Sequence, residues 1–139
     1  MTMDMEQIFC EIDRLIETPD DWIKGEEARD ENGLRVDPTS REACQFCLVG
    51  ATFAVTTFHE ENLNLNRETL FNKTVEAIAQ EIERLHPERS EDRDISTTYV
   101  LTTYNDDPKT EHKDVRGIVD NCRLGLSGLN VVIDWIHNS

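Results

Sequence analysis

The stretch from Ser40 to Phe58, SREACQFCLVGATFAVTTF, constrains the fold most, because apart from its two thiols only Arg41 and Glu42 are ionisable. A run of that length with apolar residues on every face reads as a helix buried in the middle of a domain. Its Thr, Gln and Cys content and its short unbroken apolar runs argue against a membrane span. Thr39-Ser40-Arg41-Glu42 matches a capping box, in which a hydroxyl accepts from an amide three residues on and a Glu reaches back, and so predicts the helix start. Ala43, Cys47, Gly50, Ala51 and Ala54 then form a seam of small side chains that lets a neighbouring helix approach. Gly50 weakens such a helix by roughly 1 kcal/mol relative to Ala, so close backbone packing is the expected compensation.

The remaining elements arrange around that helix. Ile8, Phe9, Ile12, Leu15 and Ile16 recur at helical spacing over residues 4–17, and Thr18-Pro19 ends the pattern. From Asp20 to Pro38 the periodicity disappears. Asn32-Gly33 signals a turn, so residues 26–30 and 34–37 read as a small β-hairpin or ordered loop pinned on the helices by Trp22 and Val36. Asn66 suits an N-cap, and Leu70, Phe71, Val75, Ile78, Ala79, Ile82 and Leu85 predict a long helix over 67–86. ISTTYVLTTY, residues 95–104, fits either a strand or a short helix; with no second long strand to pair with, helix is the better reading. Thr110 predicts the start of a helix carrying Val115, Ile118, Val119 and Cys122, and residues 129–136 read as a terminal helix. The expectation is a mainly α, bundle-like single domain of about five helices over residues 1–139.

Charge narrows the function classes. The chain carries a net charge of −15, and residues 1–31 hold 11 acids against 3 bases. Such a surface repels nucleic acid and anionic membranes and suits a basic partner, including the DNA-binding groove of another protein. No charged-then-apolar leader opens the sequence, so a cytoplasmic location is expected. Cys10, Cys44, Cys47 and Cys122 fall on apolar helical faces, which favours free buried thiols over disulfides.

Two groups of motifs look familiar together. Trp22-Ile23-Lys24-Gly25, Ala28-Arg29-Asp30 with Gly33, and Cys47-Leu48-Val49-Gly50-Ala51 form the first. Tyr104-Asn105-Asp106-Asp107-Pro108 with Thr110, His112 and Val115 forms the second. The pattern resembles a family of small uncharacterised bacterial and phage proteins. That resemblance implies a mainly helical domain with a shared residue cluster, and no activity.

Trp22, Arg29, Asp30, Asn105, Asp106 and His112 are the candidate binding residues, brought to one pocket if the hairpin folds over the 105–112 turn. Each also has a plainer use: Asn105-Asp106 closing one helix, Thr110 capping the next, Arg29-Asp30 as a local ion pair and Trp22 as a lid. Cys47, His112 and Asp106 are the residue types of a thiol nucleophile, its base and an orienting group, and so define a cysteine hydrolase as the alternative. Its expected place two turns into a buried helix makes Cys47 more simply a core residue. Cys44 and Cys47 lack the second ligand pair of a structural zinc site, so no metal or cofactor is expected. Asp20, Asp21, Glu26, Glu27 and Glu31 form an acidic face. The leading expectation is an acidic, non-enzymatic interaction or regulatory module, an inhibitor or DNA-mimic-like binder of a basic protein.

Overall fold

The computed structural model describes residues 5–63, 67–90 and 96–125, the side chains at 62–63, 67–69 and 90 excepted. Five α-helices are described: α1 (Met5–Leu15), α2 (Leu48–Leu63), α3 (Arg67–Leu85), α4 (Thr97–Asp106) and α5 (His112–Arg123). Two short strands, β1 (Ala28–Arg29) and β2 (Gln45–Phe46), pair antiparallel with Ala28 opposite Phe46 and Arg29 opposite Gln45. The fold is therefore mainly α, as the periodicities predict. Asn66 and the terminal helix predicted at 129–136 lie outside the described residues.

α1 buries Met5, Ile8, Phe9 and Ile12, and the stripe continues to Ile16 beyond its last turn. α5 runs antiparallel beside it. Three contacts fix this register in order: Arg123 to Glu6 at 3.8 Å, the Arg116 guanidinium to both Asp13 oxygens at 2.9 and 2.7 Å, and His112 to the Ile16 carbonyl at 2.6 Å. α3 buries Leu70, Val75, Ile78, Ala79 and Ile82 and packs on α2, α4 and α5. Residues 97–106 are helical: Ser96 Oγ accepts from the Tyr99 amide at 3.2 Å, and Val100, Leu101 and Tyr104 turn inward. An element with no strand partner in reach satisfies its backbone internally, and a helix does that.

The central run departs from the expected single helix over 40–58. Asp37 captures the predicted capping residue, because its Oδ1 accepts from both the amide and the hydroxyl of Thr39, at 2.8 and 2.6 Å. Ser40 Oγ accepts from the Glu42 amide at 3.2 Å, making a local turn. The chain then extends as β2, with hydrogen bonds from Cys44 N to Arg29 O at 2.9 Å and from Cys47 N to Glu27 O at 3.1 Å. Only at Leu48 does the helix begin. Side chains of Ser, Thr and Asp compete with helical hydrogen bonding, and here an Asx turn plus strand pairing outbids the box. A second consequence concerns the cysteines: Cys44 is exposed in the turn, while Cys47 and Cys122 are buried and Cys10 is partly so.

From Leu48 on, α2 behaves as a core helix. Its inward threonines return their hydroxyls to the preceding turn, Thr52 to Leu48 O at 2.8 Å and Thr56 to Thr52 O at 2.9 Å, so burial leaves them satisfied. Gly50 does mark a close approach, to the backbone before β1 and not to another helix. A Cβ at that position would stand 2.0 Å from the Glu27 carbonyl oxygen. The expected hairpin is present in part. Asp30 N donates to Leu34 O at 2.8 Å, Val36 N to Ala28 O at 3.1 Å, and Gly33 takes φ of 81°. Its longer pairing is with β2, and Trp22 bridges to Phe46 on the other side of β2. Trp22 and Val36 both pack on the core, pinning the ribbon as anticipated.

Candidate functional site

Asn105 lies in the last turn of α4 and is fully buried, and its amide is the hub of the region. Oδ1 accepts from Trp22 Nε1 at 2.6 Å and from the Leu48 amide at 3.1 Å. Nδ2 donates to Ile23 O and to Asp106 Oδ1, both at 3.0 Å. One primary amide carries two acceptor sites and two donors, so all four are spent. In doing this Asn105 caps the first turn of α2 from 57 residues away and clamps the 22–25 segment onto the helix ends. Asp106 Oδ1 accepts in addition from the Gly25 amide at 3.0 Å, and Lys24 Nζ donates to Asp107 O at 2.7 Å.

Trp22 lies between cationic and aromatic neighbours. Lys24 Nζ is 5.4 Å from its ring centroid, within the range of a cation–π contact, and the His112 ring centroid is 6.0 Å away. His112 Nε2 points to the Ile16 carbonyl, so this nitrogen is the donor and its hydrogen joins α5 to the end of α1. Thus Trp22, Asn105, Asp106 and His112 come together. Arg29 and Asp30 are used elsewhere: Arg29 pairs with Glu26, not with Asp30, and Asp30 Oδ1 closes its own turn on the amides of Asn32 and Leu34, each at 2.9 Å.

Cys47 sits at the cap of α2, not two turns into it. The Gly50 amide donates to its sulfur at 3.3 Å. A helix N-terminus ordinarily favours thiolate. Burial wins here and pushes the thiol up to about 11, while the Gly50 and Val49 amides pull it down and the Glu27 and Asp106 charges add to the rise. Among the described residues no hydrogen bond joins Cys47 to His112, whose Nε2 is engaged by Ile16 O. Burial thus opposes the thiolate, and among the described residues no hydrogen bond gives the thiol a base.

The acidic residues divide by what they touch. Glu26 is paired with Arg29, and Asp21 accepts from the Thr18 amide and hydroxyl at 3.3 and 2.9 Å. Asp20, Glu27 and Glu31 are exposed, with no side-chain hydrogen bond or ion pair among the described residues.

Arg89, Tyr104, Asp107 and Lys109, which have no chemical role in the sequence reading, border this cluster. Arg89 Nη2 lies 2.6 Å from Asp107 Oδ2 and its guanidinium stacks 5.1 Å from the Tyr104 ring centroid. The Lys109 amide, at 2.8 Å, and Arg89 hold the Asp107 carboxyl below the usual range. Arg89 falls in PERSEDRD, residues 87–94, a mixed-charge stretch that by composition points to solvent. Among the described residues no group of His, Cys, Asp and Glu is arranged to hold a metal ion, and no helix is long and apolar enough to cross a membrane.

No curated protein and no solved structure matches this chain. A family profile does match, over residues 2–123, spanning every described helix and the whole Trp22–Asn105–His112 cluster. The chain belongs to that family, DUF6197, a family of unknown function.

Proposed function

We propose that the protein is an acidic, non-enzymatic binding module whose partner is a protein with a basic surface. The observation that carries this reading is the contrast between spent and unspent groups. The amide of Asn105 and the Nε2 of His112 are consumed by internal contacts, whereas Asp20, Glu27 and Glu31 stand exposed with no side-chain partner among the described residues. Between Glu17 and Glu42 nine acids accompany four bases, so this wrapped segment keeps an excess of negative charge after its local ion pairs are formed. Carboxylates left in water cost little to leave unpaired and attract a cationic surface over about one Debye length, roughly 8–10 Å at physiological salt.

The test is capture of a protein partner by the wild type and by the Asp20→Asn/Glu27→Gln/Glu31→Gln variant. The wild type should release its partner as salt rises from about 0.1 to about 0.5 M, and the variant should retain little at any salt. A partner held equally by the variant, or one insensitive to salt, would sink the reading. The second reading is a cysteine hydrolase using Cys47, His112 and Asp106, favoured by the place of Cys47 at the cap of α2. It requires Cys47 to alkylate faster at neutral pH than the exposed Cys44; slower alkylation removes it.

A further inference from the structure

Of the nine asparagines in the chain, only Asn32 is followed by glycine. The pair sits at the tip of the hairpin, where both residues are exposed. Gly33 takes φ of 81°, a backbone conformation that favours a residue without a Cβ, so the turn itself calls for glycine there. A Cβ built on Gly33 would meet nothing within 4 Å, so the space beside its backbone is open. The Asn32 side-chain amide makes no hydrogen bond among the described residues.

These features together suit one reaction. The side-chain carbon of an asparagine and the backbone nitrogen of the next residue can close a five-membered ring, and an attack within one molecule gains from proximity. Ordinarily the next side chain crowds that nitrogen; Gly33 has none. The restraint is a single hydrogen bond, from the Gly33 amide to Asp30 O at 3.0 Å. It lies where residues 31–35 are all exposed, outside every helix and away from the core. Exposed loop tips of this kind open locally at little cost in free energy.

We propose that Asn32 is a site of self-modification, converting without an enzyme to aspartate and isoaspartate. The Gly33 nitrogen, its proton taken by hydroxide, attacks Asn32 Cγ. The bond from Cγ to the side-chain nitrogen breaks, ammonia leaves, and a succinimide ring is closed. Water then adds to one of the two ring carbonyls. Opening at one restores the main chain and leaves aspartate; opening at the other routes the main chain through Cβ and Cγ and leaves isoaspartate. One water is consumed and one ammonia released, with no change of oxidation state. The aspartate product adds a carboxylate beside Asp30 and Glu31 to a chain already at −15. The isoaspartate product lengthens the main chain inside the turn that Gly33 N to Asp30 O and Asp30 N to Leu34 O now close, so those two bonds lose their register. None of this depends on the basic-partner reading.

The experiment incubates the folded full chain at neutral pH beside a sample unfolded in urea, with digestion and peptide mass measurement over time. The unfolded sample is the clock. When half of it carries the change, more than about one-tenth of the folded chain should carry it too, the tip opening being local. The change reads as a gain of one mass unit at Asn32, resolved into two products, one of which accepts a methyl group from an isoaspartyl methyltransferase. Asn72, also exposed but helical in α3 and followed by Lys73, should stay unmodified in the folded chain. Asn32→Gln needs a six-membered ring and Gly33→Ala places a methyl beside the attacking nitrogen, so each should slow conversion at least about tenfold. The proposal is overturned if the folded chain stays below that fraction, if Asn72 converts as fast as Asn32, or if either variant converts like the wild type.

Discussion

Replacing Asn105 by Ala tests whether one buried amide holds three parts of the fold together. The substitution removes four hydrogen bonds at once. Two of the abandoned partners, the Leu48 amide and the Ile23 carbonyl, belong to buried residues at 0% and 6% exposure. Each such loss costs about 1–3 kcal/mol. The Trp22 indole and the Asp106 carboxylate are partly exposed, can recover water, and lose half of a net bond each, about 0.5 kcal/mol. The sum is about 3–7 kcal/mol, a large part of the roughly 5–15 kcal/mol that holds a domain of this kind. Urea unfolding followed by circular dichroism reads the change directly, and Trp22 fluorescence reports the local loss. Trp22→Phe, which removes one donor and leaves the amide in place, should cost far less. A loss below about 1 kcal/mol for Asn105→Ala would refute the reasoning, because the abandoned Leu48 and Ile23 groups would then have found other partners.

Gly50→Ala should destabilise by several kcal/mol despite a helix-propensity gain of about 1 kcal/mol, since the new methyl would stand 2.0 Å from a backbone oxygen; thermal unfolding that shows a more stable variant refutes the close approach. Glu81 is fully buried on α3, bound by Arg84 at 2.6–3.2 Å and by Asn121 Nδ2 at 3.0 Å, and the Arg84 hydrogen bonds hold its carboxyl below the ordinary value. A depressed carboxyl stabilises the fold above its unfolded pKa, and that share is lost as pH falls through the folded one, so Glu81→Gln should flatten the acid limb of a stability–pH curve. Cys47 and Cys122 run the other way: burial raises them to about 11 and about 12. Their contribution is full below the unfolded thiol value near pH 8.5 and falls above it by up to about 2.7 kcal/mol per pH unit for the pair, which Cys47→Ala/Cys122→Ala should abolish in alkaline urea titrations.

What was legible in the sequence follows from the range of the interactions that decide each element. α1, α3 and α5 declare themselves because their buried stripes repeat every turn, and α4 because Ser96 and its inward apolar positions leave no other way to satisfy the backbone. The start of α2 is not legible in the sequence because two local signals compete there. Thr39 and Glu42 suit a capping box, but Asp37, only two residues before Thr39, takes both its amide and its hydroxyl. The strand that fills the gap depends on Ala28 and Arg29, which no window around residue 40 contains.

The candidate site was legible as a set of residues and not as a set of bonds. Trp22, Asn105, Asp106 and His112 do converge, yet Asn105 and Trp22 are 83 residues apart and nothing local signals their 2.6 Å contact. That convergence also changes its meaning. An amide with all four positions filled by protein has nothing left for a substrate, so the most connected polar residue is an assembly point.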